Sequence, residues 1–215
     1  MPPRALVTGA GGTFGAAIAE GLVRAGFETL CVVRDAGKGE ALLARIDAGG
    51  AGSGGARGGV ARAVVCDLAS RESIARCLSA ALDGGGARPL DVLVNNAAYV
   101  PDAREETAEG VEAQFAVNVL GYARVWRAAL PALRRAPAPR AVFVASHYAG
   151  DLDLTDVEFK RRRYDPTSAY RERSAACLFA RSSAREFARS SARECARSSA
   201  HKSARKQPFL CSLFH

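Results

Sequence analysis

Hydrophobic residues in this chain fall into two alternating kinds of block. Arg4-Ala-Leu-Val-Thr8, Thr29-Leu-Cys-Val-Val33, Val60 to Cys66, Leu90 to Val94 and Ala141 to Ala145 are short runs with little polar interruption. Such runs suit strands buried on both faces of a parallel sheet. Between them, apolar positions recur at helical spacing. Phe14 to Gly26 puts Ile18, Leu22 and Val23 on one face and ends on a glycine suited to a left-handed C-terminus. Further helices are predicted from about Gly37 to Asp47, from Ser70 to Leu82 and from Glu105 to Arg135, where Val125, Trp126 and Leu130 mark the core side. Residues 48 to 59 are almost all Gly, Ala and Ser and read as a surface loop. Strict alternation of strand and helix implies right-handed βαβ units and an α/β fold with a doubly wound parallel sheet of the Rossmann-like type.

The alternation stops beyond Leu178. Phe179-Ala-Arg-Ser-Ser-Ala-Arg-Glu186 repeats as Phe187 to Glu194, returns altered as Cys195 to Lys202, and fades at Lys206. Alanine and arginine favour helix, and like charges four residues apart repel, so a helical or disordered basic tail is expected. The chain therefore divides into an α/β domain over residues 1–178 and a low-complexity Ala/Arg/Ser tail over 179–215. Pro208 to His215 is too short to supply another strand with its crossover. Strand five is accordingly expected to end the sheet as an exposed edge, a surface open to homo-oligomerisation.

Charge follows the same division. Of the net +8, the segment Lys160 to Lys206 carries 14 Lys and Arg against 4 Asp and Glu, leaving the rest slightly acidic. The body of the protein therefore gives no electrostatic reason to bind nucleic acid. Arginines interleaved with serine can neutralise phosphates, and phosphorylation would reverse their charge. A nucleic-acid or acidic partner for the tail is thus the alternative to a solvated segment, which is preferred because no aromatic stacking pattern accompanies the arginines. No apolar run reaches the 18 residues of a membrane span. The opening Met-Pro-Pro-Arg runs straight into the first strand, without the apolar stretch of a secretory leader. Cys31, Cys66, Cys77, Cys177, Cys195 and Cys211 form no C-x-x-C pair and have no histidine at zinc spacing. No metal site is expected, and a reducing, cytoplasmic setting is.

Between the first strand and the first helix stands Thr8-Gly-Ala-Gly-Gly-Thr-Phe-Gly15. Glycines there let the chain turn tightly and let backbone N–H groups approach a pyrophosphate at the helix N-terminus, with a plain structural turn as the competing reading. On this motif, on Asp67 after strand three, Asn95-Asn-Ala-Ala98 after strand four, Asn118, Ser146 after strand five and Tyr170 in Ser168-Ala-Tyr-Arg, the chain resembles the short-chain dehydrogenase/reductase superfamily of the classical type. The long Ser146–Tyr170 segment, with Leu152, Leu154, Phe159 and Tyr164, is similar to the retinol-dehydrogenase-like and protochlorophyllide-reductase-like branch.

The resemblance implies an oxidoreductase that moves a hydride between a nicotinamide dinucleotide and a small carbonyl or alcohol substrate. It implies Tyr170, Ser146 and Asn118 as the catalytic set. It implies cofactor contacts from Thr8, Gly9, Gly11, Gly12, Thr13, Phe14, Gly15, Arg34, Asp67, Leu68, Asn95 and Ala97. Val33-Arg-Asp35 resembles NADP-preferring relatives, because Arg34 can pair with a 2′-phosphate, whereas Asp35 could accept from a free ribose hydroxyl, which keeps NAD as the second choice. The resemblance also implies two further strands and a substrate lid, whose absence would leave the family fold truncated after the fifth strand.

Some residues have other readings. Asp67 could cap the helix that begins near Ser70, and Asn118 could bridge backbone groups. His147 beside Ser146 suggests a hydrolytic pair, though adjacent residues on a turn seldom face each other. Two departures from the family pattern stand out. Thr13 occupies a glycine position, while Gly9, Gly12 and Gly15 keep the spacing of the extended relatives. More seriously, the family's Lys four residues after the tyrosine, an ammonium that favours the phenolate, is replaced by Ser174. Arg171 and Arg173 flank Tyr170 at the wrong helical angles to take over, so impaired turnover is expected.

Overall fold

The structure, a computed structural model, describes residues 1–49, 59–83, 88–176 and 210–214. Its elements are β1 (Arg4–Thr8), α1 (Thr13–Arg24), β2 (Glu28–Val33), α2 (Ala36–Ala48), β3 (Val60–Val65), α3 (Arg71–Asp83) and β4 (Val92–Asn95). After β4 come α4 (Ala113–Phe115), a π-helical segment (Ala116–Gly121), α5 (Tyr122–Arg135) and β5 (Arg140–Val144). A helix over residues 166–176, α6, and a strand β6 (Leu210–Phe214) complete the described chain. The strands lie in the order β3-β2-β1-β4-β5-β6 with every pairing parallel.

This is the doubly wound sheet that the alternation predicts. Successive strand residues point to opposite faces, and both faces are covered. Leu6, Leu30, Val32 and Leu93 join Ile74 and Leu78 of α3 and Tyr122, Val125 and Leu133 of α5 in one core layer. Val7, Cys31, Val33 and Val94 join Ala16, Ala19 and Val23 of α1 and Leu42 and Ile46 of α2 in the other. Trp126 packs half-buried against the first layer with its ring centroid 5.9 Å from that of Phe143, the core role its spacing predicts.

Two expectations are corrected. The sheet does not stop with β5 as an open edge: Leu210–Phe214 pairs with it, Arg140 opposite Leu210 and Val144 opposite Phe214, so the last few residues do supply a strand. The repeat over residues 179–206, with the tail readings built on it, lies outside the described residues, as does most of the 48–59 loop. The long helix predicted from Glu105 begins only at Ala113. Residues 105–112 instead form a turn in which Gly110 takes φ 72° and donates its N–H to the Thr107 carbonyl at 2.9 Å, while Glu106 bridges to Glu112. The Glu112 carboxylate then starts the helix by accepting the N–H groups of Gln114 and Phe115 at 2.8 and 2.7 Å.

Candidate functional site

Strand order reverses between β1 and β4, where consecutive crossovers leave the sheet on opposite sides, and a cavity of about 670 Å³ opens at their C-terminal ends. The side chain of Thr8 ties the two strand ends together. Its buried Oγ1 accepts the N–H groups of Asn96 and Ala97 at 2.9 and 3.1 Å and donates to the Val94 carbonyl at 3.4 Å. Asn96 returns the tie, donating from Nδ2 to the Thr8 carbonyl at 3.0 Å.

Gly9, Gly11, Gly12, Thr13, Phe14 and Gly15 form one wall of the cavity. Gly9 adopts φ 67°, and a side chain there would meet Ala97 Cα at 2.6 Å. At Gly15 a Cβ would lie 2.1 Å from the Gly9 carbonyl oxygen, so the loop closes on itself only with hydrogen at this position. Helix α1 begins after Gly12 with no side-chain cap and no acidic residue in its first turn. Its leading N–H groups and the positive end of its dipole are thereby left for an anion.

Opposite the glycine loop stand the ends of β2 and β3. Arg34 lines the cavity, and so does Lys38, which the sequence pattern alone presents as one more exposed helix charge. Asp35 does not line it. Its carboxylate is the N-cap of α2, accepting the Lys38 N–H at 2.8 Å. Cys66, Asp67, Leu68 and Ser70 complete this side. Asp67 is not the cap of α3: its Oδ1 accepts the Ala69 N–H at 2.9 Å, and Ser70 Oγ accepts the Ser73 N–H at 3.1 Å in the capping position.

Not every predicted residue reaches the cavity. Asn95 is buried behind it, donating to the Tyr122 carbonyl at 3.3 Å, and its neighbour Asn96 is the lining residue, with Ala97 and Ala98. Asn118, in the π-helical segment, clamps the backbone of Tyr99 from both sides: Oδ1 accepts its N–H at 2.8 Å and Nδ2 donates to its carbonyl at 2.9 Å. Tyr99 and Glu105 form part of the cavity mouth that motif reading missed. The phenol donates to Glu105 Oε2 at 2.7 Å, and that bond, with burial and the Glu105 charge, raises it above its ordinary value against the pull of Arg34.

Ser146 and Tyr170 lie outside the lining of this cavity. Ser146 Oγ accepts the Tyr148 N–H at 3.1 Å. His147 stacks on Tyr148, ring centroids 4.1 Å apart, which gives the hydrolytic pairing no support. Helix α6, which carries Tyr170, docks on this segment through Arg171. That residue donates from Nε to the Tyr148 carbonyl at 3.3 Å and pairs with Asp151 at 2.6 Å. Arg173 turns the other way into the interior, 1% exposed, donating from Nη2 to Glu112 Oε2 at 3.0 Å and lying over the rings of Phe115 and Phe159. Ser174, where the family's lysine is expected, is buried.

A second ion cluster, with buried carboxylates around a half-buried Arg162, braces the same helix. Arg162 forks onto Glu172 at 2.8 and 3.2 Å, covers the ring of Phe159 and pairs with Asp156. Burial pushes the Asp156 carboxyl up, but the N–H groups of Arg162, Lys160 and Arg161 and the Arg162 guanidinium outweigh it and hold the group at about 2.

Residues 3–153 match a family model described as short chain dehydrogenase. Mouse polyprenol dehydrogenase is 34% identical over 191 residues, covering 84% of this chain and 54% of its own length. Mouse retinol dehydrogenase 14 is 32% identical over 184 residues, covering 82% and 54%. Among solved structures, a Pseudomonas aeruginosa RhlG/NADP active-site complex superposes with a TM-score of 0.59 at 28% identity, over 89% of this chain and 65% of that one. Other solved proteins of the same fold are complexes with NADP or NAD. The chain spans about half the length of the curated relatives it matches.

Proposed function

The chain belongs to the short-chain dehydrogenase family, and from that membership we propose that it binds a nicotinamide dinucleotide, NADP ahead of NAD, in the cavity at the β1 and β4 ends. The residues present fit such a group. A glycine loop that closes only without side chains at Gly9 and Gly15 meets an uncapped helix N-terminus, as a pyrophosphate requires. The preference for NADP rests on one observation. Asp35, the group that would hold a free ribose hydroxyl, is committed to capping α2, whereas Arg34 and Lys38 both face the cavity and would meet the 2′-phosphate with two positive charges.

The reaction we infer is hydride transfer between the nicotinamide and a carbonyl or alcohol, the chemistry this cofactor supplies when bound. Tyr170 would move the proton at the substrate oxygen, Ser146 would hydrogen-bond that oxygen, and Asn118 supports the site by fixing the backbone of Tyr99. We read turnover in this chain as impaired. Proton transfer from Tyr170 lacks its neighbouring ammonium, and both nearby arginines are engaged elsewhere, Arg171 with Asp151 and Arg173 with Glu112. The reading of Ser146–Tyr170 as the catalytic segment rests on family pattern and on the docking of α6 against residues 148–151.

One experiment tests both parts. The purified chain is titrated with NADPH and NADH by nicotinamide fluorescence and then given an aldehyde. We expect NADPH to bind tighter, the Arg34→Ser variant to lose roughly tenfold or more for NADPH alone, the scale of a charge-assisted hydrogen bond, and little NADPH oxidation to follow. Binding of neither dinucleotide would overturn the cofactor reading, and rapid turnover would overturn the impairment. The free thiols of Cys31, Cys66 and Cys77 suit the cytoplasmic, reducing setting that we propose for the chain.

A further inference from the structure

We propose that Cys66 and Cys77 form a peroxide-sensitive dithiol at the edge of the dinucleotide cavity, whose closure to a disulfide weakens dinucleotide binding. Cys66 follows β3 directly, is 3% exposed, and lines the cavity beside Asp67, Leu68 and Ser70. Cys77 lies half-buried on α3, one turn after Ser73, on the face turned to β3. Its Sγ donates to the carbonyl of Val65, the residue before Cys66, at 2.9 Å. The Ser73 hydroxyl touches both sulfurs, Cys66 at 4.0 Å and Cys77 at 3.8 Å, and so places the two thiols on either side of one side-chain oxygen. No motif announces this pair, because the two cysteines are eleven positions apart and only the packing of α3 on β3 brings them together.

The chemistry balances with a peroxide as oxidant. The more accessible Cys77, as thiolate, attacks the peroxide O–O bond, becoming a sulfenic acid and releasing hydroxide. Cys66 then attacks the sulfenic sulfur, forming the S–S bond and expelling water, so that two thiols and one hydrogen peroxide yield one disulfide and two waters. Burial first, and then Cys77, push the Cys66 thiol up, which suits Cys66 to the resolving step and not to the first attack on the peroxide.

The same hydroxyl links the pair to the cavity. Ser73 Oγ also accepts the Asp67 N–H at 3.0 Å, so it fixes the backbone that follows Cys66. Drawing the sulfurs to bonding distance, ~2.05 Å, removes Cys77 from Val65, displaces Ser73 and shifts Cys66 and Asp67 in the cavity wall.

The effect on affinity rests on the dinucleotide reading above; the disulfide itself does not. The test treats the full chain with hydrogen peroxide and digests it with trypsin without reduction. Cleavage after Arg71 and Arg76 puts the two cysteines in separate peptides, so a cross-linked Cys66–Cys77 pair is seen directly by mass spectrometry. We expect that pair to form, NADPH affinity to fall about tenfold, the scale of one strained local conformation, a reductant to restore it, and Cys77→Ser to abolish both changes. Cross-links between other cysteines, or over-oxidation of Cys77 without a cross-link, would overturn the dithiol. A cross-link with unchanged NADPH affinity would overturn the coupling to the cavity. Reduced protein that binds no NADPH would sink only the dinucleotide reading, since the cross-linked peptide still decides the rest.

Discussion

Around the cavity, position is fixed by backbone; around Tyr170, it is fixed by buried charge. The glycine loop, the Thr8–Asn96 tie and the uncapped start of α1 use small residues and main-chain hydrogen bonds between strands that are neighbours in the sheet. Helix α6 instead hangs on Arg173–Glu112 and Arg162–Glu172, pairs whose acidic members are almost wholly buried. A backbone site tolerates changes around it provided the glycines remain. A site held by buried ions depends on every partner, because removing one leaves the other charged and unsolvated.

The largest effect is expected at the ion pair. Arg173→Met leaves Glu112 buried without its guanidinium and should destabilise the fold by about 3–5 kcal/mol, read by urea denaturation. The double variant Arg173→Met, Glu112→Gln should recover much of that loss. Equal instability of the two would mean that packing on Phe115 and Phe159, and not charge, holds α6.

Gly15→Ala acts on the other region. With the Gly9 carbonyl 2.1 Å from the new Cβ, the loop must open, at a strain of roughly 1–3 kcal/mol. NADPH titration should lose about ten- to a hundredfold in affinity, while the near-UV circular dichroism of the aromatic cluster around α6 stays unchanged. Loss of both signals together would show that the two regions are less separate than their contacts suggest.

The smallest effect is one of pH. Asp156 is held at about 2 in the fold, below the ordinary carboxylate value, so its contribution is complete above that ordinary value and fades as pH falls toward 2. Acid titration should show Asp156→Asn losing stability relative to the parent near neutrality and converging with it near pH 2. A constant gap between the two across that range would remove Asp156 from the account.

How much could be read from the sequence follows the same division. Strands and helices were legible because burial on both sheet faces leaves uninterrupted apolar runs, and the cavity's glycine wall because one loop carries it all. The start of α4 was not, since residues 105–112 have helix-favouring composition and only Gly110 in its left-handed turn and the Glu112 cap decide otherwise. Lys38 was hidden by its position on an exposed helix, where charge is ordinary. Arg173 and Glu112 stand 61 positions apart, and nothing local in either neighbourhood announces the other. Asn95 and Asn96 read alike as neighbours, and only the direction of β4 assigns one to the core and the other to the cavity.

The pairing of β5 with β6 makes the last described strand the outermost one of the sheet. Bringing Arg140 to Leu210 closes nearly three times as much chain as bringing Arg4 to Glu28, and loop entropy makes that closure roughly 1 kcal/mol more costly. The β1–β4 pairing, which brings Ala5 to Val92, closes a longer stretch still, so the two ends of the sheet and its centre all depend on contacts distant in sequence. Detaching β6 would return β5 to the margin of the sheet while β1 and β4 at the cavity keep their neighbours.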